Sequence, residues 1–270
     1  MTTALALDAD LDLIVQAAQE AGALALTLRE RGLTTTYKPG NSPVTAADLA
    51  VDALIKDRLL GARPDYGWLS EETADDPARL DKETLFIVDP IDGTRSYMAG
   101  KPWWVVSIAV VRGGEPVAGA IFAPTQGELY AASLGGGASL NGARIAASQR
   151  TQLEDSAMLG DAGMFAHPAW KQPWPQMRIE SRNATAYRLA FVAAGAFDAT
   201  LTLAPKAEWD VAAGDLIARE AGARVVDHKG RSFTYNRPIP WQASLLAAPE
   251  PLAALILART EPIDLRNPTR

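Results

Sequence analysis

The chain has 270 residues, 26 Lys and Arg against 32 Asp and Glu, two histidines and no cysteine. At roughly 150 residues per domain this is one large or two small domains, and 48% hydrophobic with 21% charged residues excludes a disordered or fibrous chain. The lack of cysteine removes disulfides, thiolate metal sites and thiol nucleophiles, and the mild acidic balance argues against a nucleic-acid polymer as partner.

Met1 to Leu13 carries no basic leader, and the longest apolar run, Trp103–Val111, is under half a membrane span. The expectation is a cytoplasmic protein with no membrane partner. Leu11, Ile14, Val15, Ala18, Ala21, Ala25 and Leu28 recur at helical spacing, so a helix is predicted over 9–31 and stopped at Gly32. A second helix is predicted from Ala46 to Leu60, with Thr45 as N-cap and Asp48 completing a capping box. Short segments rich in β-formers follow at Tyr66–Ser70, Leu85–Val88, Trp103–Val111, Pro116–Phe122 and Glu128–Ala132, separated by turn residues. Beyond residue 150, helices are predicted at 185–195, 209–221 and 249–259, and strands near 156–160, 198–202, 223–227 and 243–247. The pattern divides into an N-terminal α+β half over 1–150, with a mostly antiparallel sheet, and a C-terminal α/β half over 151–270. Gly163–Met177, with two Trp, one Phe and three Pro, reads as a long irregular loop. His167, in that loop, and His228, before a Lys-Gly turn, read as surface residues.

The chemistry concentrates at Phe86-Ile-Val-Asp89-Pro-Ile-Asp92-Gly93-Thr94. A strongly apolar strand runs into two aspartates; Pro90 takes the chain out of the ladder, and Gly93 supplies a backbone conformation other residues resist. Free N–H groups near Gly93 and Thr94 suit phosphate oxygens, and the carboxylates suit hard cations. Glu71-Glu72 ends another strand, Asp210 opens a helix, and Asp48 sits in the capping box. Acids gathered without cysteine or clustered histidine point to Mg²⁺ rather than zinc. Apposed carboxylates repel one another and raise their own pKa values, which bound cations relieve.

Four ordered blocks, SPVTAAD (42–48), GWLSEE (67–72), FIVDPIDGTRSY (86–97) and WDVAAGDLI (209–217), are similar to those of the inositol monophosphatase superfamily of Mg²⁺-dependent, lithium-sensitive phosphatases. The resemblance covers residues 10–258. It implies a layered α-β-α-β-α sandwich of the inositol monophosphatase/fructose-1,6-bisphosphatase type, within the α/β (α+β) class. It further implies Glu71, Asp89, the Ile91 carbonyl, Asp92 and Asp210 as ligands of two or three Mg²⁺ ions, with Asp89 bridging two of them. Thr94, oriented by Asp48, would position a metal-activated water for direct in-line attack, with Glu72 close behind the metals. Gly93 and Thr94 amides would hold the phosphate. The implied partner is a small phosphorylated metabolite, and the implied assembly a homodimer.

The substrate is a finer question. No acid lies in Thr200–Pro205, where inositol phosphatases carry one for the inositol hydroxyls, and Asn183 stands where a glycine is expected. SPVTAAD with Lys38 upstream, and Glu208-Trp209-Asp210, are more similar to 3′(2′),5′-bisphosphate nucleotidases, which convert 3′-phosphoadenosine 5′-phosphate to AMP and phosphate. Lys38, Arg95, Asn183 and Arg188 are the substrate-side candidates, Arg182 and Lys206 further cations for a second phosphate, and Trp170 and Trp174 platforms for adenine. Inositol-1-monophosphatase and histidinol-phosphate phosphatase are the alternatives within the superfamily, and a non-catalytic metal- or phosphate-binding protein the alternative outside it. A haloacid-dehalogenase type DxDGT nucleophile is not met: acids at i and i+2 of a strand point one way, whereas Asp89 and Asp92 are three apart with Pro90 between, so that shared face is expected to be lost.

Overall fold

The computed structural model describes residues 2–32, 35–38 and 42–265, and among these the side chains of all but 2–7, 35–38, 42 and 43. Helix α1 (Thr2–Glu30) leads into a hairpin of β1 (Thr35–Lys38) and β2 (Ser42–Thr45), then α2 (Ala46–Ala62), β3 (Gly67–Ser70), β4 (Thr84–Asp92) and the short α3 (Thr94–Met98). A meander follows: β5 (Val105–Arg112), β6 (Glu115–Ala123), β7 (Glu128–Ser133), β8 (Gly137–Leu140) and β9 (Ala143–Arg144). The rest alternates: β10 (Ala157–Leu159), α4 (Ala162–Phe165), β11 (Arg178–Glu180), α5 (Thr185–Ala193), β12 (Ala199–Thr202), β13 (Lys206–Ala207), α6 (Glu208–Glu220), β14 (Ala223–Val226), β15 (Trp241–Gln242), β16 (Leu245–Pro249) and α7 (Glu250–Thr260).

Strands β3 to β9 form one seven-stranded sheet in chain order, parallel only between β3 and β4. A second, five-stranded sheet has the order β11-β10-β12-β16-β14, parallel around β10 and antiparallel elsewhere. Alternation along single strands shows how the layers stack. On β4, Phe86 and Val88 pack with Ile14, Val51 and Ile55 of α1 and α2, while Leu85 and Ile87 face Leu189 of α5 and Leu216 of α6. On β16, Leu245 and Ala247 join that same α5–α6 cluster, and Leu246 and Ala248 turn the other way onto Leu252 and Ile256 of α7. The result is the expected α-β-α-β-α sandwich, with α5 and α6 as the middle layer. Because β4 is covered on both faces, its sequence is a continuous apolar run rather than an alternating one.

Helix α1 starts earlier than the periodicity suggested. Its segment Asp8–Glu30 is long and apolar enough to cross a membrane by length and composition alone. Its alanine-rich face, Ala17, Ala18, Ala21 and Ala25, is nevertheless fully buried with the sheet, and a Cβ added at Gly22 would lie 2.6 Å from Pro124 Cγ. In the middle layer a Cβ at Gly214 would stand 2.6 Å from Leu189 Cβ, so the α5–α6 crossing requires glycine there. The short strands β1, β2, β8, β9, β11, β13 and β15 have too few residues to show a period and were not expected; β8 begins in the Gly135–Gly137 run read as a turn. His228 is a correction: it is 2% exposed, and its ring bonds Ser244 Oγ and the Ile263 carbonyl at 2.8 and 3.1 Å.

Candidate active site

The candidate site lies where β3 and β4 end against the N-termini of α5 and α6. Side-chain alternation sends Asp89 to the same side as Leu85 and Ile87, toward α6. Between Asp89, which pairs with Ser107, and Asp92, which pairs with Val105, β4 carries one residue more than β5. That bulge, at Pro90 where no N–H can enter the ladder, restores the shared face which three-residue spacing would have lost. Asp89 and Asp92 therefore line one cleft, contrary to the expectation from spacing alone.

Carboxylate oxygens of Glu71, from the end of β3, of Asp89 and of Asp210, from the first turn of α6, all lie within 4.8 Å of one another. Asp89 is 1% exposed. Burial, then the charges of Glu71, Asp92, Asp210 and Asp48, hold its carboxyl well above the usual carboxylate range. Burial and Asp210 push Asp92 up to about 8, although N–H bonds from Ala186 and Thr185 pull it down. Those bonds, 2.6 and 3.1 Å long, tie both Asp92 oxygens to the start of α5. Burial likewise raises Asp210, against the opposing charge of Lys206. An all-oxygen, like-charged and desolvated donor set fits a hard divalent cation, and neither histidine lines the cleft.

Beside the acids, Thr94 Oγ1 stands 3.2 Å from Asp48 Oδ1 and 3.2 Å from the Ile91 carbonyl oxygen. Asp48 is itself fixed, since its Oδ2 accepts from Thr45 N at 2.7 Å and from Thr45 Oγ1 at 2.6 Å. Burial raises the Asp48 carboxyl above its ordinary value, with the Thr45 and Thr94 bonds opposing. Gly93 has φ 95°, and a Cβ there would meet the Trp103 carbonyl at 2.8 Å, so only glycine lets the chain turn into α3 at this point. Thr94→Ala is expected to lower kcat about 10²-fold with little change in KM; steady-state kinetics check this, and a pure KM effect would contradict a role for Thr94 in the chemical step.

The cleft, about 420 Å³, is lined by Glu71, Asp89, Asp92, Asp210 and Gly93-Thr94-Arg95, together with Asn183, Thr185, Lys206, Trp209 and Trp241. Arg95, Asn183 and Lys206 thus stand where the sequence suggested. Glu72 follows Glu71, its N–H donating to Ser70 Oγ at 3.4 Å. The side chain of Lys38 lies outside the described residues.

Three suggestions are corrected. Arg188 is 8% exposed, and its guanidinium is engaged by Thr200 Oγ1 and the carbonyls of Leu159 and Leu201, joining α5 to the second sheet. Arg182 stacks 4.2 Å over Trp103 and pairs with Glu180. Trp170 and Trp174 pack edge-on against each other, with Trp174 on Phe165, outside the cleft. The tryptophans in the cleft are Trp209 and Trp241, ring centroids 6.1 Å apart. Trp209 adjoins Asp210, which was the available signal; Trp241 arrives through the two-residue β13–β15 pairing, which had none.

The sequence matches the profile of the inositol monophosphatase family over residues 7–264. An inositol-1-monophosphatase of Rhizobium meliloti (strain 1021) is 35% identical over 236 residues, 84% of this chain and 88% of that one. A Nus factor SuhB of Escherichia coli (strain K12) is 30% identical over 233 residues, 82% of this chain and 85% of that one. Among solved structures, the extragenic suppressor protein SuhB from Bartonella henselae superposes with a TM-score of 0.80 at 30% identity, over 94% of this chain and 99% of that one.

Proposed function

The chain belongs to the inositol monophosphatase family of phosphatases, which act on small phosphorylated substrates, and on that premise we propose that it is a Mg²⁺-dependent 3′(2′),5′-bisphosphate nucleotidase working in the cytoplasm as a homodimer. The observation that carries the substrate reading is the part of the cleft lining that is not acidic. There Lys206 and the Trp209–Trp241 pair face the same space as the acids, which suits an ester with a second anionic group and a flat base.

Glu71, Asp89 and Asp210, joined by Asp92 and the Ile91 carbonyl, would hold two or three Mg²⁺ ions, whose part is to polarise the phosphoryl oxygens and acidify water. Gly93 and Thr94 N–H groups would donate to the phosphate. Thr94 Oγ1, held by Asp48, would orient the attacking water in line with the leaving oxygen, and the buried Asp48 carboxylate suits the role of proton acceptor through the Thr94 hydroxyl. Arg95 and Lys206 would offset charge on the substrate.

Inositol 1-phosphate is the second reading, favoured by the name of the Rhizobium relative. Phosphate release from 3′-phosphoadenosine 5′-phosphate, inositol 1-phosphate, histidinol phosphate and fructose 1,6-bisphosphate, at fixed Mg²⁺ with chelator and lithium controls, separates the readings. The nucleotide is expected to have the highest kcat/KM; a win for inositol 1-phosphate overturns the nucleotidase reading and leaves the metal site standing. Lys206→Gln is expected to raise KM about tenfold for the nucleotide, the worth of roughly 1.4 kcal/mol, and to leave the KM of inositol 1-phosphate nearly unchanged. Equal losses on both esters would remove Lys206 from second-phosphate recognition.

A further inference from the structure

A second cavity, about 500 Å³, opens between the C-terminal end of α7 and α4 with the loop after it, so the first residues of the expected 163–177 loop are helical; it shares no lining residue with the catalytic cleft. The loop that forms it is built rather than slack. Trp170 Nε1 donates to the Met164 carbonyl at 2.6 Å, His167 Nδ1 accepts from Ala169 N at 3.2 Å, and Phe165, Trp174 and Trp170 form an edge-to-face series. Met164, Trp170, Leu203 and Ile263 give the cavity apolar walls.

The polar groups there are mostly cationic or donors. Arg259 lines the cavity with its guanidinium 5.3 Å from the Trp174 ring centroid. Its Nε is buried and has no hydrogen-bond acceptor among the described residues. Lys171 also lines the cavity, and with His167 Nδ1 accepting, Nε2 of the neutral ring is a donor. The one acid on the lining, Asp161, turns Oδ1 into the first turn of α4, where it accepts from Gly163 N at 2.7 Å. Among the described residues, a chamber of this size with apolar walls, two cationic side chains on its lining and one acid already turned to a backbone N–H suits an anion carried on an apolar body.

We infer that this cavity binds a small amphipathic organic anion, a flat apolar body bearing one carboxylate or phosphate, at a site separate from the phosphatase cleft. The body lies against Trp170, Met164 and Leu203, and the anion pairs with Arg259 as Lys171 closes the rim. Leu203 is three residues from Lys206, so the same short segment borders both cavities.

The test is calorimetric titration of the full chain with 1-naphthoate, with its neutral counterpart 1-naphthylmethanol, and with inorganic phosphate alone, in EDTA and again in Mg²⁺. One naphthoate site is expected, about tenfold tighter than the alcohol, the share of a charge-assisted pair, and indifferent to phosphate occupying the catalytic cleft. Arg259→Gln is expected to erase that tenfold preference while phosphate release and the melting temperature stay as in the parent. Trp170→Ala weakens acid and alcohol alike. Should Arg259→Gln fold poorly, exposed Lys171→Gln supplies a milder loss, about threefold, for the acid only. Equal binding of acid and alcohol, competition by phosphate, or naphthoate binding unchanged in Arg259→Gln overturns the inference. So does a parent that binds no naphthoate yet dissociates as an oligomer when Trp170 is changed to Glu, which would give this face to a second copy of the chain.

Discussion

Asp89→Asn is expected to cut phosphate release by about 10³-fold or more at saturating Mg²⁺, and at the same time to raise the melting temperature of the cation-free protein. Both effects have one origin. The Asp89 carboxyl is buried among Glu71, Asp92, Asp210 and Asp48, and folding must bring these like charges together without water. Asparagine keeps the size and retains an oxygen for the Ile91 N–H, which donates to Asp89 Oδ1 at 3.1 Å, but removes the charge that repels and the charge that would bind a cation. Turnover and chelator-treated melts on one preparation decide the matter. An unchanged rate would remove Asp89 from the site. A lost rate with a lowered melting temperature would make the carboxyl structural instead.

The cation-free protein is expected to lose stability as pH rises from about 5 to 8, the reverse of what paired surface carboxylates produce. Asp92, at about 8 in the fold, titrates near 3.9 when unfolded, and Asp89 is raised in the same direction. Within that window the folded chain binds more protons than the unfolded one, so unfolding free energy falls with pH. The slope approaches about 1.4 kcal/mol per unit for each such group and, for Asp92, levels off above its folded value. Glu208, raised to about 7 by burial, acts with the same sign. Mg²⁺ should lift the melting temperature most at the high-pH end, where the carboxyls it would bind have lost their protons. Melts at pH 5, 6.5 and 8, with EDTA or with Mg²⁺, test this; a cation-free melting temperature that climbs across the series would refute a proton-holding acidic cluster.

What could be read in advance followed from where the physics is local. The apolar run of β4, the cap of α2 and the alanine-rich face of α1 are written in local sequence, so these elements and the Asp89–Thr94 turn were visible, while the sandwich itself followed from the family resemblance. Register was not. Whether Asp89 and Asp92 share a face depends on one bulge against β5, which no count of intervening residues reveals. Nor was the destination of long side chains. Arg188 looked like a free cation for substrate and is instead engaged by Thr200 and two carbonyls, while Trp241 reaches the cleft from far along the chain by a two-residue pairing. The rim of the cleft is made by tertiary pairing, and the acids on its floor by sequence.

The start of α2 holds a constraint of another kind. A capping box ordinarily tolerates Glu or Gln three residues after the cap, yet here the position is Asp48, whose Oδ2 closes the box on Thr45 while Oδ1 reaches Thr94. The longer side chains that would serve the helix equally well cannot keep both distances. Asp48 is thus held by two partners at once, and Thr45, which does not line the cleft, inherits the same lack of freedom. Variation at this helix start should be punished as loss of turnover long before it registers as loss of fold.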